Sequence, residues 1–145
     1  MTIWNQKPTL EVLNQLGLGT MNEHLGIEFI EIGEDFVRAR MPVNERTRQP
    51  DHILHGGASV ALAETVGSVA AFWCIDTSKK MTVGLDINAN HLRAVKSGRF
   101  VVGTARPLHI GASTHVWEIR IENEQGQLVC ISRLTMAVID KRVFT

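Results

Sequence analysis

The residues best suited to chemistry in this sequence are a His-Gly-Gly turn and the single acid in the apolar segment that follows it. The turn is His55-Gly56-Gly57, and the acid is Glu64. Backbone N–H groups at a helix start are unpaired and lie at the positive end of the helix dipole, so they can hold a carbonyl oxygen that gains negative charge. A carboxylate in an apolar helix is costly without a partner or a function. The pattern predicts acyl transfer or hydrolysis; a glutamate that caps a neighbouring segment or pairs with an arginine is the structural alternative.

The spacing of Gly56 and Glu64 predicts how the two residues can meet one substrate. The acid lies eight residues beyond the glycine, which is about 12 Å along a helix at a rise of 1.5 Å per residue. A glutamate side chain cannot span that distance to a carbonyl bound at the start of its own helix. If both residues act together, we expect them to come from different subunits, with two such helices antiparallel about a twofold axis.

Three polar residues close to these two can support them. Gln49 and His55 flank the turn, and an amide or an imidazole can hydrogen-bond an acyl oxygen. A loop glutamine and a capping histidine are the structural alternatives. Ser68 follows Glu64 by one helical turn, so it can hold a water molecule or the carboxylate, or else simply allow close packing.

Two segments further along the chain can bind the rest of a substrate. His91 follows a predicted strand and can contact a polar group on an acyl portion. The segment His109–Thr114 ends with Ser113 and Thr114, whose hydroxyls and backbone donors suit a phosphate, and Arg93 adds positive charge nearby. For His91, a surface histidine is the structural alternative.

Composition narrows the classes of function. The 15 basic and 15 acidic residues give a net charge of zero without a charge block, which argues against nucleic-acid or membrane-surface binding. Cys74 and Cys130 show no metal spacing, no histidine spacing suggests zinc, and no Gly-x-Ser-x-Gly elbow is present. We therefore expect no metal, both cysteines in the core, and a structural role for His115. Because the N-terminal residues do not resemble a signal peptide and no segment is suited to span a bilayer, we expect one cytoplasmic domain over residues 1–145.

The predicted elements place the candidate residues on one long helix and at strand ends. Capping signals at Thr9 and Thr20 predict two short helices, and an apolar run predicts a long helix over about residues 57–75. Alternating patterns predict strands at 27–32, 37–43, 81–87, 99–109, 117–122 and 127–139, with a bulge at Gly103. One long helix against a run of antiparallel strands is an α+β domain.

A helical wheel divides the long helix into a bulky side and a small side. The bulky side, which we expect to pack on the sheet, consists of Leu62, Val66, Val69 and Trp73. The small side, which we expect to face another backbone or a ligand, consists of Gly57, Ala61, Glu64, Ser68 and Ala71. One sheet covers only one side of a helix, so the pattern predicts a subunit interface on the other side.

The chain resembles the hotdog-fold acyl-CoA thioesterases, specifically the group with a glutamate on the central helix (the Arthrobacter-type 4-hydroxybenzoyl-CoA thioesterases). The resemblance spans nearly the whole chain. The motifs that carry it are Gln49-Pro50, Leu54-His55-Gly56-Gly57-Ala58-Ser59, Leu62-Ala63-Glu64-Thr65-Val66-Gly67-Ser68 and Asn88-Ala89-Asn90-His91.

The resemblance implies a fold, an oligomer and a substrate class. The hotdog fold is a long central helix packed on a single antiparallel sheet, in dimers that pair into tetramers. The implied substrate is an aromatic acyl-CoA, specifically 1,4-dihydroxy-2-naphthoyl-CoA of menaquinone synthesis. CoA is part of this substrate, and no cofactor is implied. The alternatives are proofreading of a misacylated aryl carrier protein, a non-catalytic acyl-binding module and, more weakly, a hotdog hydratase.

The resemblance also implies roles for individual residues. It implies that Glu64 is the nucleophile or general base and that the Gly56 N–H of the opposite subunit is the oxyanion donor, supported by Gln49 and His55. It implies that Ser68 lies near the attacking water. The implied substrate-binding positions are His91 near the aryl group, and Ser113 and Thr114 near a CoA phosphate.

Overall fold

The computed structural model describes residues 1–142 and residue 144, and in this part of the chain three helices accompany one six-stranded sheet. The helices are α1 (Leu10–Leu16), α2 (Met21–Leu25) and α3 (Gly56–Trp73). The strands are β1 (Glu28–Ile32), β2 (Val37–Pro42), β3 (Lys80–His91), β4 (Phe100–Ile110), β5 (Thr114–Glu122) and β6 (Leu128–Asp140). All neighbours in the order β1-β2-β4-β5-β6-β3 are antiparallel. The prediction of an α+β fold with a long helix on one antiparallel sheet is confirmed.

Strand alternation explains why one face of the sheet receives α3. On β5 the side chains of Trp117, Ile119 and Ile121 are fully buried, while Arg120 between them is exposed. Apolar side chains on alternate positions collect on the same face, and burying them against a helix removes their surface from water. β3 lies at the end of the sheet, so one side of this 12-residue strand has no strand partner among the described residues.

The side of α3 that packs on the sheet is rotated from the predicted bulky side toward smaller residues. Leu62 and Val66 are buried as expected, and Gly67 is buried with them. A Cβ atom added at Gly67 would lie 2.6 Å from Leu134, so the glycine allows the helix to approach β6 closely. Val69 and Trp73 are only partly buried, which corrects their predicted place at the centre of the sheet contact.

The chain's own N-terminal segment covers part of α3 away from the sheet. The Asn5 N–H donates to the Trp73 carbonyl at 3.0 Å, and the Thr65 hydroxyl hydrogen-bonds Asn22 at 3.3 Å. Ala71, predicted on the uncovered small side, is fully buried. The side left for a subunit interface is therefore narrower than predicted and is centred on the exposed Glu64.

The helix boundaries follow from capping. Thr9 caps α1 and Thr20 caps α2, each accepting a hydrogen bond from a backbone N–H of the first turn. The predicted capping box is shifted by one residue, because Glu23 accepts from the Gly19 N–H at 2.6 Å rather than from Thr20. α3 begins one residue earlier and ends two residues earlier than predicted, where Cys74 forms its C-cap.

Two strand predictions need correction. β3 continues to His91, four residues beyond its predicted end, so His91 lies in the strand rather than after it. Gly103 pairs in regular register on both sides and is no bulge. A Cβ atom there would lie 3.2 Å from Leu62, so a side chain at this position would make Leu62 of α3 shift by a few tenths of an ångström. The bulge of β4 lies between Pro107 and His109.

The cysteines are structural. Cys130 is fully buried as predicted, and the partly buried Cys74 packs at the edge of the core. Burial raises the pKa of the Cys74 thiol to about 12, so the thiol stays protonated and unreactive at neutral pH. Within the described residues, no group of three His, Cys, Asp or Glu side chains is arranged to hold a metal ion. Across the same residues, no helix is both long and apolar enough to cross a membrane.

The buried His115 on β5 is expected to make the free energy of unfolding depend on pH. The side chain is 1% exposed, and burial, with a smaller contribution from His109, lowers its pKa below the usual 6.5. Below that pH the unfolded chain binds a proton that the folded chain does not, so the free energy of unfolding falls as the pH falls. In urea titrations at pH 7 and pH 5, His115→Phe should lose less stability than the wild type. An equal loss in both proteins would show that His115 does not titrate in this range.

Candidate active site

The turn before α3 leaves one backbone donor free. His55 is the N-cap of α3, and its Nδ1 accepts a hydrogen bond from the Gly57 N–H at 2.8 Å. The His55 carbonyl accepts from the N–H groups of Ala58 and Ser59. No acceptor for the Gly56 N–H is present in residues 1–142 or 144. The sequence predicts the N–H groups of both glycines as candidate donors. The capping His55 accepts from the Gly57 N–H, so of these two donors only the Gly56 N–H has no acceptor among the described residues.

The loop before the turn orients Gln49. The Gln49 side-chain carbonyl accepts a hydrogen bond from the Asp51 N–H, and its backbone N–H donates to the Ile53 carbonyl at 2.8 Å. The buried Thr47 fixes the loop, since its hydroxyl donates to Pro42 at 2.7 Å and its carbonyl accepts from His55. With its oxygen used inside the loop, the Gln49 amide presents N–H donors for another partner.

Four candidate residues meet at a pocket of about 440 Å³ beside the start of α3. We call this the helix-start pocket; its lining residues are Gln49, Ile53, Leu54, Gly56, Ser59, His91, Leu92, Arg93, Ala94 and Val129. The ring of His91 packs on Gly56, because a Cβ atom added there would lie 3.0 Å from Nε2 of the histidine. The extension of β3 beyond its predicted end brings His91 to this place.

Glu64 lies on the open side of α3 and points at the edge strand. Its side chain is exposed, and no hydrogen bond or ion pair engages it among the described residues. A Cβ atom added at Gly84 of β3 would lie 2.9 Å from Oε1 of Glu64, so the carboxylate rests beside a strand position that has no side chain. One turn further on, the Ser68 hydroxyl donates to Sδ of Met136 at 3.7 Å. Neither structural alternative for Glu64, a cap or an arginine pair, occurs within residues 1–142 and 144.

A second pocket, of about 410 Å³, is lined by Ser68 and by Gly84, the residue that Glu64 lies against. We call it the apolar pocket; its lining residues are Leu13, Leu16, Gly17, Asn22, Phe29, Ser68, Val69, Phe72, Trp73, Thr82, Gly84 and Met136. Residues of α1, α2 and α3 line it together with residues of β1, β3 and β6. Its size lies in the range of small-molecule sites, and its mostly apolar wall with few polar groups is typical of them.

Sequence reasoning missed Gly84 and Met136. A glycine inside a strand pattern indicates a bulge or a close approach, and this signal was present at Gly84. Met136 gave no such signal, because its contact with Ser68 depends on how β6 lies under α3.

Ser113 and Thr114 line neither pocket. Ser113 lies in the turn between β4 and β5, and Thr114 is the first residue of β5. The Ser113 carbonyl accepts from the Val138 N–H of β6 and the Thr114 carbonyl accepts from the Gly111 N–H, both at 2.9 Å. Their hydroxyls make no hydrogen bond with any described residue. Their predicted phosphate contact remains a prediction.

Within one chain the candidate residues form two separate groups. Gln49, Gly56, His91 and Arg93 surround the helix-start pocket, whereas Glu64 with Ser68 lies about 12 Å away along α3. A single subunit therefore does not bring the acid to the free N–H group.

Comparison with known proteins places this geometry in a family. The sequence profile of the thioesterase superfamily matches residues 51–130. The 1,4-dihydroxy-2-naphthoyl-CoA hydrolase of Escherichia coli K12 is 52% identical over 137 residues, covering 94% of this chain and 99% of that protein. The proofreading thioesterase EntH of Cronobacter turicensis is 49% identical, covering 94% and 98%. A crystallised glutamine-to-alanine mutant of a Pseudomonas aeruginosa thioesterase superposes with a TM-score of 0.94 at 47% identity, covering 97% and 100%.

Proposed function

The chain belongs to the thioesterase superfamily, and on that basis we propose that it hydrolyses the thioester of an aromatic acyl-CoA, with 1,4-dihydroxy-2-naphthoyl-CoA of menaquinone synthesis as its substrate. Thioester hydrolysis follows from the family, and the naphthoyl group is supported by the relative at 52% identity. The observation that carries the proposal is the Glu64 carboxylate, which has no partner among the described residues and lies against Gly84, a residue that lines the apolar pocket. Family membership removes the non-catalytic binding module from the alternatives.

The proposed reaction needs one acid, one oxyanion donor and water. The Glu64 carboxylate attacks the thioester carbonyl, or removes a proton from a water molecule that attacks it. The carbonyl oxygen gains negative charge, which the N–H of the partner subunit's Gly56 stabilises. The C–S bond then breaks and CoA leaves as a thiolate, which takes up a proton to become the thiol. If water is the nucleophile, this step gives the free aromatic acid directly, and the proton that Glu64 removed from water passes to the thiolate. If Glu64 is the nucleophile, the step gives a mixed anhydride, which a water molecule then hydrolyses to the free acid and the regenerated carboxylate. No metal or redox cofactor takes part in this scheme.

The other candidate residues take supporting roles in the proposal. The Ser68 hydroxyl lies one turn from Glu64 and holds the attacking water. The Gln49 amide donors are aimed from the helix-start pocket toward the acyl oxygen, and His55 keeps the Gly56 turn in place through its cap. His91 and Arg93 bind the acyl-CoA at the same pocket.

The proposed active site is shared by two subunits. The uncovered side of α3 carries Glu64, and β3 beside it has an unpaired edge, which is a template for pairing with another strand. Two copies that join along these edges with their α3 helices antiparallel would bring each Glu64 to the other copy's helix-start pocket. We propose this dimer as the active unit, and a pair of such dimers as the tetramer, with Ser113 and Thr114 near the CoA phosphates.

The second candidate is proofreading of a misacylated aryl carrier protein. It is favoured by the EntH relative, which is 49% identical. The aromatic group would occupy the same apolar pocket, and only the thiol half of the substrate would differ.

A thiol-release assay with matched substrates distinguishes the two candidates. The same aromatic acyl group is presented as the CoA thioester and on an aryl carrier protein, alongside an aliphatic acyl-CoA. We expect kcat/KM for 1,4-dihydroxy-2-naphthoyl-CoA to exceed that for the carrier-protein thioester by about tenfold or more, a difference of about 1.4 kcal/mol in transition-state binding. A preference for the carrier protein would favour proofreading, and a preference for the aliphatic substrate would overturn the aromatic assignment.

A further inference from the structure

The edge strand contacts the Glu64 carboxylate at a position that has no side chain. Gly84 pairs with Met136 of β6, and Met136 is 2% exposed beneath α3, so position 84 also faces the helix. A Cβ atom there would lie 2.9 Å from Oε1 of Glu64 and 3.9 Å from Sδ of Met136. The first distance is shorter than ordinary van der Waals contact, so the carboxylate occupies space that any other residue at position 84 would take.

A bulge in β3 keeps a second acid away from Glu64. The register with β6 shifts between Gly84 and Asp86, and the extra residue, Leu85, is 63% exposed. In a regular strand, residues two apart share a face, so Asp86 would lie with Gly84 beneath α3. The shift pairs Asp86 with Thr135, whose neighbours on β6 face the helix, and so places Asp86 on the other face of the sheet. Like charges in close contact would disfavour the ionised Glu64.

The same region also orients the residue one turn from Glu64. The Ser68 hydroxyl hydrogen-bonds Sδ of Met136, the residue that pairs with Gly84. The carboxylate and the hydroxyl therefore rest on adjacent strand positions, one from β3 and one from β6. A methyl group at position 84 would meet the carboxylate too closely, but it would meet Sδ of Met136 only at the ordinary van der Waals distance of 3.9 Å.

We propose that Gly84 is a positioning residue for catalysis: by lacking a side chain beside the β3 bulge, it lets the Glu64 carboxylate lie against the edge strand in its reactive place. The proposal rests on the proposed role of Glu64 in thioester hydrolysis. Gly84 contacts the acid and acts through it.

Alanine at position 84 tests the proposal with little risk to the fold. Gly84 does not have a positive φ angle, so alanine fits its backbone, and the atom that the new methyl meets is the end of a flexible side chain. We expect Gly84→Ala to have a melting temperature equal to or above that of the wild type. We expect kcat to fall by about 10-fold to 100-fold, since misplacing a reacting group by about 1 Å has an effect of this order. KM should change by less than about threefold.

A double-mutant cycle with Glu64→Asp separates positioning from other effects of the methyl group. Aspartate is one methylene shorter, so its carboxylate does not reach position 84. In the Glu64→Asp background we therefore expect Gly84→Ala to change kcat by less than about threefold. An equal loss of kcat in both backgrounds, or wild-type kcat in the single variant, would overturn the proposal.

Two further measurements distinguish failure of the positioning role of Gly84 from failure of the proposed function. A crystal structure of Gly84→Ala should show Oε1 of Glu64 displaced from β3, and an unmoved carboxylate would overturn the positioning role even if Glu64→Asp is too slow to assay. Glu64→Ala is assayed in parallel. If that variant keeps wild-type turnover, the proposed function itself fails; if it is inactive while Gly84→Ala is fully active, only the role of Gly84 fails.

Discussion

Replacing Glu64 by alanine leaves the fold intact and lowers kcat for the aromatic acyl-CoA by about 10²-fold to 10⁴-fold, the range of general acid–base catalysis. The fold survives because the side chain is exposed and engages no described residue in a hydrogen bond or an ion pair. Thiol release measures kcat, and a thermal melt shows that the variant is folded. KM should change little, because the carboxylate acts on the reacting carbonyl rather than on the bulk of the substrate.

Two companion variants make this result specific. Glu64→Gln keeps the shape of the side chain and removes its charge, so it should be as inactive as Glu64→Ala. Glu11→Ala removes an exposed glutamate from the first turn of α1. Glu11 lines neither pocket, so this variant should keep wild-type turnover. Wild-type kcat in Glu64→Ala would end the assignment of Glu64 as nucleophile or base.

Replacing Gly56 by proline deletes the proposed oxyanion donor and should lower kcat by about 10²-fold to 10³-fold, the effect of losing one such donor. Gly56 is the first residue of α3, a position where proline is well tolerated because its missing N–H has no helical partner. The preceding residue, His55, has φ −71° and ψ 130°, an extended conformation that suits a residue before proline. The substitution therefore removes a hydrogen-bond donor with little change in the backbone.

Gly56→Ala is the matched control for the proline variant. Any side chain at position 56 meets the His91 ring, since its Cβ atom would lie 3.0 Å from Nε2. Alanine reproduces that contact but keeps the N–H group. Equal turnover of the alanine and proline variants, measured in the same thiol-release assay, would show that the Gly56 N–H makes no catalytic contribution.

Mixing the two inactive proteins tests whether the site is shared by two subunits. A mixed dimer of Glu64→Ala and Gly56→Pro contains one site in which both residues are intact and one site in which both are changed. Random exchange of subunits should restore about a quarter of wild-type activity, since half of the dimers are mixed and each has one working site. If the two residues acted within the same subunit, the mixture would stay inactive.

The helices and most strands could be predicted from the sequence because their signals are local. Thr9 and Thr20 supply caps within the first turn of their own helices, and the alternation on β5 needs only the strand itself. The end of β3 was missed because Asn88 and Asn90 alternate with the small Ala89, which gives little apolar contrast. Whether such a segment forms a strand depends on its pairing with β6, which is not adjacent in sequence.

The candidate site was predictable in its residues but not in its arrangement. The helix rise alone predicts that Gly56 and Glu64 of one chain lie too far apart to act on one substrate, and in the structure the two residues belong to separate groups. The bulge beside Gly84 was not predicted, because a register shift is a property of two paired strands. The rotation of α3 was missed since Gly67 and the N-terminal segment, both unremarkable in sequence, decide which side of the helix is covered.

The 18-residue helix α3 carries the proposed oxyanion donor at its start and the proposed catalytic acid in its middle, and in the proposed dimer these two groups belong to different active sites. A helix of this length moves as a stiff body, so a tilt that draws its first turn onto one substrate also shifts the acid that serves the other substrate. The two active sites of the dimer would then be coupled through this helix, and substrate binding at one site would change the turnover at the other.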